Sequence, residues 1–458
     1  MAIDGQLSRT LGPWQALSVV VGTIIGTGIF LKTATMAQFV GGINAIALVW
    51  ICAGILSFAG SLTYAELSSA IPEAGGEYSF LKWGYGPIAA FLFGWMRFWI
   101  ASPGSIAAYA VGAATFLNAV VPLDFIYGGI KSAAFIFIIL FSIINCFHVH
   151  WGARVQTFLT ILKSVLILGL IIGVFGWGKE IETTDLSLNF NGWLTSSANQ
   201  KFLWSSFGLA MISALWAYDG WNNLPMIGEE IKNPQKNIPM ALGFGLLIVL
   251  FLYLTINFAF FHVLTLEEIQ GANSSKYPEA LPVATLAAQS FLNQFGIPVI
   301  SIAFVISALG AMNGSILTVS RIPFAMARDG IFFKGLSVVT ASGLVPARAI
   351  IIQGLLASLF AVLGTFDQLT DYVVVSSWIF YALTASLIYK LRKENKEKQE
   401  SSHNSFKLPG YPIVPFLFIL TSIFLVINSF IQNPINAIYG LSIILMGVPY
   451  YYWNKFKK

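Results

Sequence analysis

The sequence predicts an all-α integral membrane protein of twelve transmembrane helices, ten of them forming two five-helix repeats of opposite topology. Three observations carry this. With 57% hydrophobic and 10% charged residues and a mean hydropathy of +0.76 over 458 residues, the chain is far more apolar than a soluble domain. Apolar runs of about the 20 residues that cross the hydrocarbon core recur from end to end. Two of those runs, the first and the sixth, are interrupted by glycine and polar residues at mid-membrane depth, the same position in two successive sets of five. Because five is odd, the second set re-enters the membrane from the opposite side, which places a substrate site at the midplane where the broken helices meet.

Taken in order, the spans read as 12 to 40, 42 to 70, 87 to 118, 131 to 148 and 152 to 176. The second set reads as 202 to 230, 238 to 264, 297 to 326, 345 to 365 and 372 to 391. Helices at 411 to 431 and 435 to 453 complete the chain. This gives one transporter domain, 1 to 458, with repeat one over about 12 to 176 and repeat two over about 202 to 391. The first span is too long for a signal-peptide core and lacks a basic leader and a cleavage site. Lys and Arg divide 17 to 5 in favour of the connections on the side of the termini, so the positive-inside rule puts both termini in the cytoplasm. The pI near 9.0 is therefore a topology signal and not a nucleic-acid footprint. Cys52 and Cys146 each lie inside a span, which excludes a disulfide framework and a thiol metal site. The four histidines lie near span ends or in loops and there is no HExxH, GxSxG or P-loop, so an enzyme is not expected, nor any cofactor or metal. A channel would need a continuous polar lining, which the spans do not offer.

The first break is Val21-Gly22-Thr23-Ile24-Ile25-Gly26-Thr27-Gly28-Ile29-Phe30, where residues without a Cβ let the backbone leave helical geometry. The second is Ala217-Tyr218-Asp219-Gly220-Trp221-Asn222-Asn223, following continuous helix from Phe202 to Trp216. An amino acid zwitterion fits such a pair. Freed N–H groups around Thr23, Gly26, Thr27 and Gly28, at the positive end of a half-helix, suit its carboxylate. Carbonyls around Ile24, Trp216, Ala217 and Asp219 suit its ammonium. The competing account of the glycines is close helix packing. Asp219 is an intramembrane carboxylate that could pair with a cation or substrate amine, accept a proton, or cap the second half-helix near Trp221 and Asn222.

The two breaks, the run Tyr64-Ala65-Glu66-Leu67-Ser68-Ser69-Ala70-Ile71-Pro72-Glu73-Ala74-Gly75-Gly76-Glu77-Tyr78, Gly228-Glu229-Glu230-Ile231-Lys232-Asn233-Pro234, Asn313-Gly314-Ser315 and Ala327-Arg328-Asp329-Gly330 resemble the amino acid-polyamine-organocation (APC) superfamily. The set is similar to its L-amino acid transporter (LAT) branch, and the resemblance covers nearly the whole chain. It implies the LeuT-like fold and a sodium-independent exchanger of neutral L-amino acids working by alternating access in the plasma membrane. Its alternative is a proton-coupled symporter, cationic amino acids included.

The resemblance makes Trp216 an aromatic gate and Lys163 the lysine whose ammonium sits near where sodium-coupled relatives hold an ion. A lysine in a dry site could also carry a proton, or simply snorkel to the interface. By the same analogy Ser102, Gly104, Ser105, Asn313 and Ser315 line the pocket, and Glu229 and Glu230 form either a cytoplasmic gate or exposed loop pairs. Arg97 receives no role. The heteromeric animal members carry a cysteine between spans three and four that bonds a glycoprotein partner; 117 to 131 has none here, so no disulfide-linked heavy chain is expected. With short termini, the chain reads as a self-sufficient monomer whose only other contact is membrane lipid.

Overall fold

The computed structural model describes residues 2–4, 7–123, 127–181, 204–274, 276–277, 280–341, 344–363, 366–397, 406–432 and 434–456. Each of the twelve expected segments is helical. The first is split into α1 (Pro13–Ile24) and α2 (Gly28–Val40). There follow α3 (Ile43–Ala70), a short α4 (Glu77–Tyr85) and α5 (Pro87–Met96), which runs through a π-helical turn at Arg97–Ala101 into α6 (Ser102–Asn118). Next come α7 (Gly129–Phe147) and α8 (Val149–Trp177). The sixth segment is α9 (Trp204–Tyr218) and α10 (Asn223–Met226). The chain continues through α11 (Pro234–Val263), α12 (Leu266–Gln270), α13 (Val283–Leu292), α14 (Gly296–Val319) and α15 (Arg321–Arg328). It ends with α16 (Ala347–Leu363), α17 (Phe366–Glu397), α18 (Ile413–Gln432) and α19 (Pro434–Phe456).

Eight segments among the described residues are long and apolar enough to cross a membrane, and Ser206–Tyr218 and Ala347–Leu363 are shorter apolar helices. The chain is thus an all-α membrane protein. Burial decides which helices form its centre: 72% of the apolar window in Pro13–Val40 is covered, against 33% in Gly129–Phe147 and in Ile413–Gln432. The outer helices turn Phe158, Ile161, Ile172 and Leu420 outward, as a lipid-facing surface requires.

Local chemistry sets the ends. Pro13 occupies the first turn of α1, where its missing N–H costs nothing, and Gln15 Oε1 accepts from Gly12 N–H at 3.1 Å. Gly41, at φ +65°, ends α2 in the left-handed conformation. Ile25 turns extended, at ψ 92°, which opens the first break over residues 25–27. The second break falls at 219–222 and not from Ala217 as expected, because Trp216, Ala217 and Tyr218 stay helical and the turn waits for Gly220 at φ +118°.

On the face that carries the termini, β1 (Ala2–Asp4) pairs antiparallel with β2 (Val338–Thr340), Ile3 opposite Val339. Close by, Thr10 and Leu11 donate to Glu230 O at 2.9 and 3.0 Å, and Lys232 N–H donates to Leu11 O. The start of the first segment is thereby stitched to the end of the sixth.

Candidate functional site

The two breaks lie against each other. Thr23 Oγ1, in the last turn of α1, is 2.7 Å from Val19 O and 2.9 Å from Gly220 O in the second break. A Cβ on Gly28 would sit 2.6 Å from Ala217 Cα, and one on Gly220 would sit 2.9 Å from Thr23 O. Close approach of backbone to backbone is what these glycines permit, so packing and site-building are one requirement here and not rival accounts.

Lys163 is the centre of the first break. Only 1% exposed, it does not snorkel. Its ammonium donates to Gly22 O at 2.9 Å, Ile25 O at 2.5 Å and Ser307 O at 2.9 Å, which uses all three of its protons. Two of those carbonyls are orphans of the α1 C-terminus, the negative end of the helix dipole, and a cation there is favourable. Ser307 Oγ, on α14, takes Gly26 O at 2.9 Å. Gly310 on the same helix makes room: its Cβ would lie 2.8 Å from Lys163 Nζ.

The carbonyls expected to meet a substrate ammonium are partly engaged already. Tyr253 Oη, from α11, lies 3.0 Å from both Ile24 O and Ala217 O, sharing its proton across the two breaks. Trp216 O accepts from Asp219 N–H at 3.2 Å. Each carbonyl keeps a second lone pair for a ligand. The Trp216 ring is buried and stacks on Tyr109 of α6, centroids 6.1 Å apart.

Asp219 does not cap the second half-helix as one sequence alternative had it. Its carboxylate accepts from Tyr381 Oη of α17 at 2.8 Å and from the Gly220 N–H, while the N-cap of α10 is Asn222, with no side-chain cap hydrogen bond. The electrostatic partner of Asp219 is Arg97, to which the sequence assigned nothing. Arg97 is buried at the π-helical turn, its Nη2 3.4 Å from Asn223 Oδ1. A lone arginine in an apolar span was the signal for it.

Among the described residues, several buried polar groups at the breaks lack a hydrogen-bond partner, Asn222 Oδ1 of the second break among them. Among the described residues, Thr27 Oγ1 and Ser102 Oγ are buried side-chain oxygens without a hydrogen bond. Native structures seldom leave such groups orphaned, and these stand at the N-terminal ends of α2 and α6. Asn313 is a correction. Expected on the pocket wall, it is turned toward α7 and α8, where its amide donates to Gly152 O at 3.1 Å and Gln156 Oε1 at 2.9 Å and accepts from Asn145 at 2.9 Å. Both of its amide protons are spent inside a helix junction.

Two ion pairs follow the second break. Arg321 forks onto Glu230 with Nε–Oε1 2.7 Å and Nη2–Oε2 3.0 Å, both side chains almost fully buried, and Arg328 Nη1 meets both oxygens of the half-buried Glu229. Glu230 is thus a buried pair, whereas Glu229 pairs with the exposed Arg328 at the surface. A surface cavity of about 500 Å³ lies between Ala70, Pro72, Ser79 and Trp83, away from both breaks.

With this geometry in hand, comparison with known proteins is specific. The amino acid permease family model matches residues 11–450. The serine/threonine exchanger SteT of Bacillus subtilis is 33% identical over 99% of both chains. The human b(0,+)-type amino acid transporter 1 is 31% identical over 97% of this chain and 88% of its own, and the human cystine/glutamate transporter 31% over 98% and 87%. Two helices each broken once and packed break against break, a lysine caged by carbonyls and end-to-end similarity to transporters agree: this chain belongs to the amino acid permease family and is a membrane transporter, not an enzyme.

Proposed function

We propose that the protein is a sodium-independent exchanger of neutral L-amino acids, with twelve spans in a 5+5 inverted repeat and both termini in the cytoplasm of a cell bounded by the membrane it occupies. It works as a monomer without a heavy chain. The observation that carries sodium independence is the Lys163 ammonium filling the carbonyl cage at the first break. A built-in cation there saturates the acceptors that a sodium ion would need.

Substrate binding follows from the orphan groups. Thr27 Oγ1 and the free N–H groups at Gly26–Gly28, at the positive end of α2, receive the carboxylate, with Ser102 Oγ beside them. Ile24 O, Ala217 O and the Asp219 region receive the ammonium. Trp216 gates one side, and the Glu230–Arg321 and Glu229–Arg328 pairs gate the cytoplasmic side. Similarity to a serine/threonine exchanger supports small neutral substrates.

A second reading, proton-coupled symport extending to cationic amino acids, is favoured by one observation, the carboxylate of Asp219 buried beside the breaks. Counterflow separates the two. Labelled serine uptake into proteoliposomes in sodium-free buffer is expected to rise strongly when the vesicles are preloaded with serine and to ignore an imposed pH gradient. Uptake that is indifferent to preloading and driven by the gradient would establish symport instead. Competition by a panel of amino acids, repeated with Asp219→Ala, then tells whether that carboxylate reads a side chain.

A further inference from the structure

Glu77 is a carboxylate that neither the breaks nor the two ion pairs account for. It opens α4 right after Gly75 and Gly76, at φ +93° and +53°, and it is fully buried. The loop that delivers it is pressed onto the inner half of the sixth segment: Gly75 N–H donates to Met226 O at 2.9 Å, Ala74 N–H to Glu229 Oε2 at 3.2 Å, and a Cβ on Gly76 would lie 2.8 Å from Met226 N. From there Glu77 Oε1 accepts a short hydrogen bond from Tyr64 Oη of α3, and Oε2 accepts from Asn222 Nδ2 at 3.2 Å. Asn222 is the last residue of the second break, and its own Oδ1 is buried without a partner.

We propose that Glu77 is the positioning residue that fixes the second break from the terminal side, and that its ionised form is the one that holds the break in its binding geometry. Both carboxylate oxygens act as acceptors toward two donors. A proton on Oε2 sets a donor against the Asn222 amide, and a proton on Oε1 is accommodated only if Tyr64 turns its own proton away and accepts instead, so the ionised form alone keeps both donors in place. Because Asn222 lies three residues from Asp219, what is lost there is the shape of the turn 219–222 that faces the substrate. The inference rests on the transporter reading above.

The surroundings put this within reach of ordinary pH. Burial pushes the Glu77 carboxyl up to about 7, against the opposing pull of Arg97, Tyr64 and Asn222 and with a smaller push from Asp219. Besides these, Tyr381 of α17 is the titratable group that faces it. Raised from its ordinary value, the carboxyl is ionised above neutral pH and protonated below. The two donor contacts therefore exist together at pH 8, and the pair is broken as pH falls through 7.

Serine exchange in proteoliposomes clamped at the same pH on both sides, from pH 5.5 to 8.5, tests this. In the wild type KM should fall severalfold as pH rises through neutrality, while the zwitterion itself does not titrate in that range. Glu77→Gln, isosteric with the protonated acid, should show the wild type's low-pH KM at every pH. Tyr64→Phe removes one donor to the carboxylate and should move the midpoint upward. A wild-type profile that is flat, or one that Glu77→Gln leaves unchanged, overturns the proposal although exchange continues; a wild type that shows no exchange overturns the transporter reading. Should Glu77→Gln not yield monodisperse protein, Tyr64→Phe decides, an unmoved midpoint being the overturning result.

Discussion

The two breaks solve one problem with opposite charges. At the first, helix α1 ends in unpaired carbonyls, and a cation from α8 closes them: Lys163 spends its three protons on Gly22 O, Ile25 O and Ser307 O. At the second, the interruption carries a carboxylate, and donors close it: Tyr381 from α17 and the Gly220 N–H on Asp219, with Arg97 as the nearby cation. The clamp on the first segment comes from the fifth, and the clamp on the sixth comes from the tenth. That equal offset is what the proposed inverted repeat would produce, while the chemistry of the two clamps differs. The difference is one of commitment. The first break is locked by a saturated ion, whereas the second is held by single hydrogen bonds, from Tyr381 to Asp219, from Asn222 to Glu77 and from Thr23 to Gly220 O.

Breaking the locked side should have the largest effect. Lys163→Met keeps the volume of the stem but strips the carbonyl cage of its cation, and each buried acceptor left unpaired costs about 1–3 kcal/mol. Two such carbonyls, Gly22 O and Ile25 O, predict a loss of more than about 2 kcal/mol, read as a large drop in the thermal midpoint of purified protein and abolished serine exchange. An unchanged midpoint would mean that the cage is not structural.

The second break should respond less. Tyr381→Phe removes one donor from a buried carboxylate, worth about 1.5–3 kcal/mol. Because the break remains attached through Thr23, Tyr253 and Asn222, the protein should fold, and the loss should appear as a KM raised about tenfold or more with little change in maximal rate. Equal losses of stability in Lys163→Met and Tyr381→Phe would erase the contrast between the breaks.

Much of this was legible in the sequence because membrane segments announce themselves by length and apolarity, and breaks by glycine. Gly28 and Gly220 mark the close approach directly, since no other residue fits there. Lys163 was legible as a charge too deep to reach water. The supports were not. Tyr253 and Tyr381 are ordinary aromatic residues in apolar helices, and which way their hydroxyls point depends on helix rotation, which an apolar sequence does not encode strongly. Asn313 misled for the same reason: a polar residue in a central span faces either a cavity or another helix, and the Asn145 and Gln156 that claim it lie more than 150 residues away. Arg97 and Glu77 are separated by 20 residues and a helix boundary, so nothing local links them to Asp219.

The smallest effect gives the sharpest comparison, because it uses two threonines of the same broken segment. Thr23 is spent: its hydroxyl bonds Val19 O and Gly220 O, and it ties the breaks together. Thr27 is unspent, buried with no partner. Replacing a satisfied hydroxyl with a methyl removes a contact, whereas replacing an orphan removes only its desolvation cost. Thr23→Val should therefore lower stability by about 1 kcal/mol, and Thr27→Val should leave the thermal midpoint unchanged or slightly higher. If Thr27 receives the substrate carboxylate, the same substitution should raise the KM for serine about two- to tenfold, the value of one hydrogen bond formed only when substrate is bound. A Thr27→Val protein with normal KM would remove this hydroxyl from the carboxylate site and leave the backbone N–H groups of Gly26–Gly28 to bind it alone.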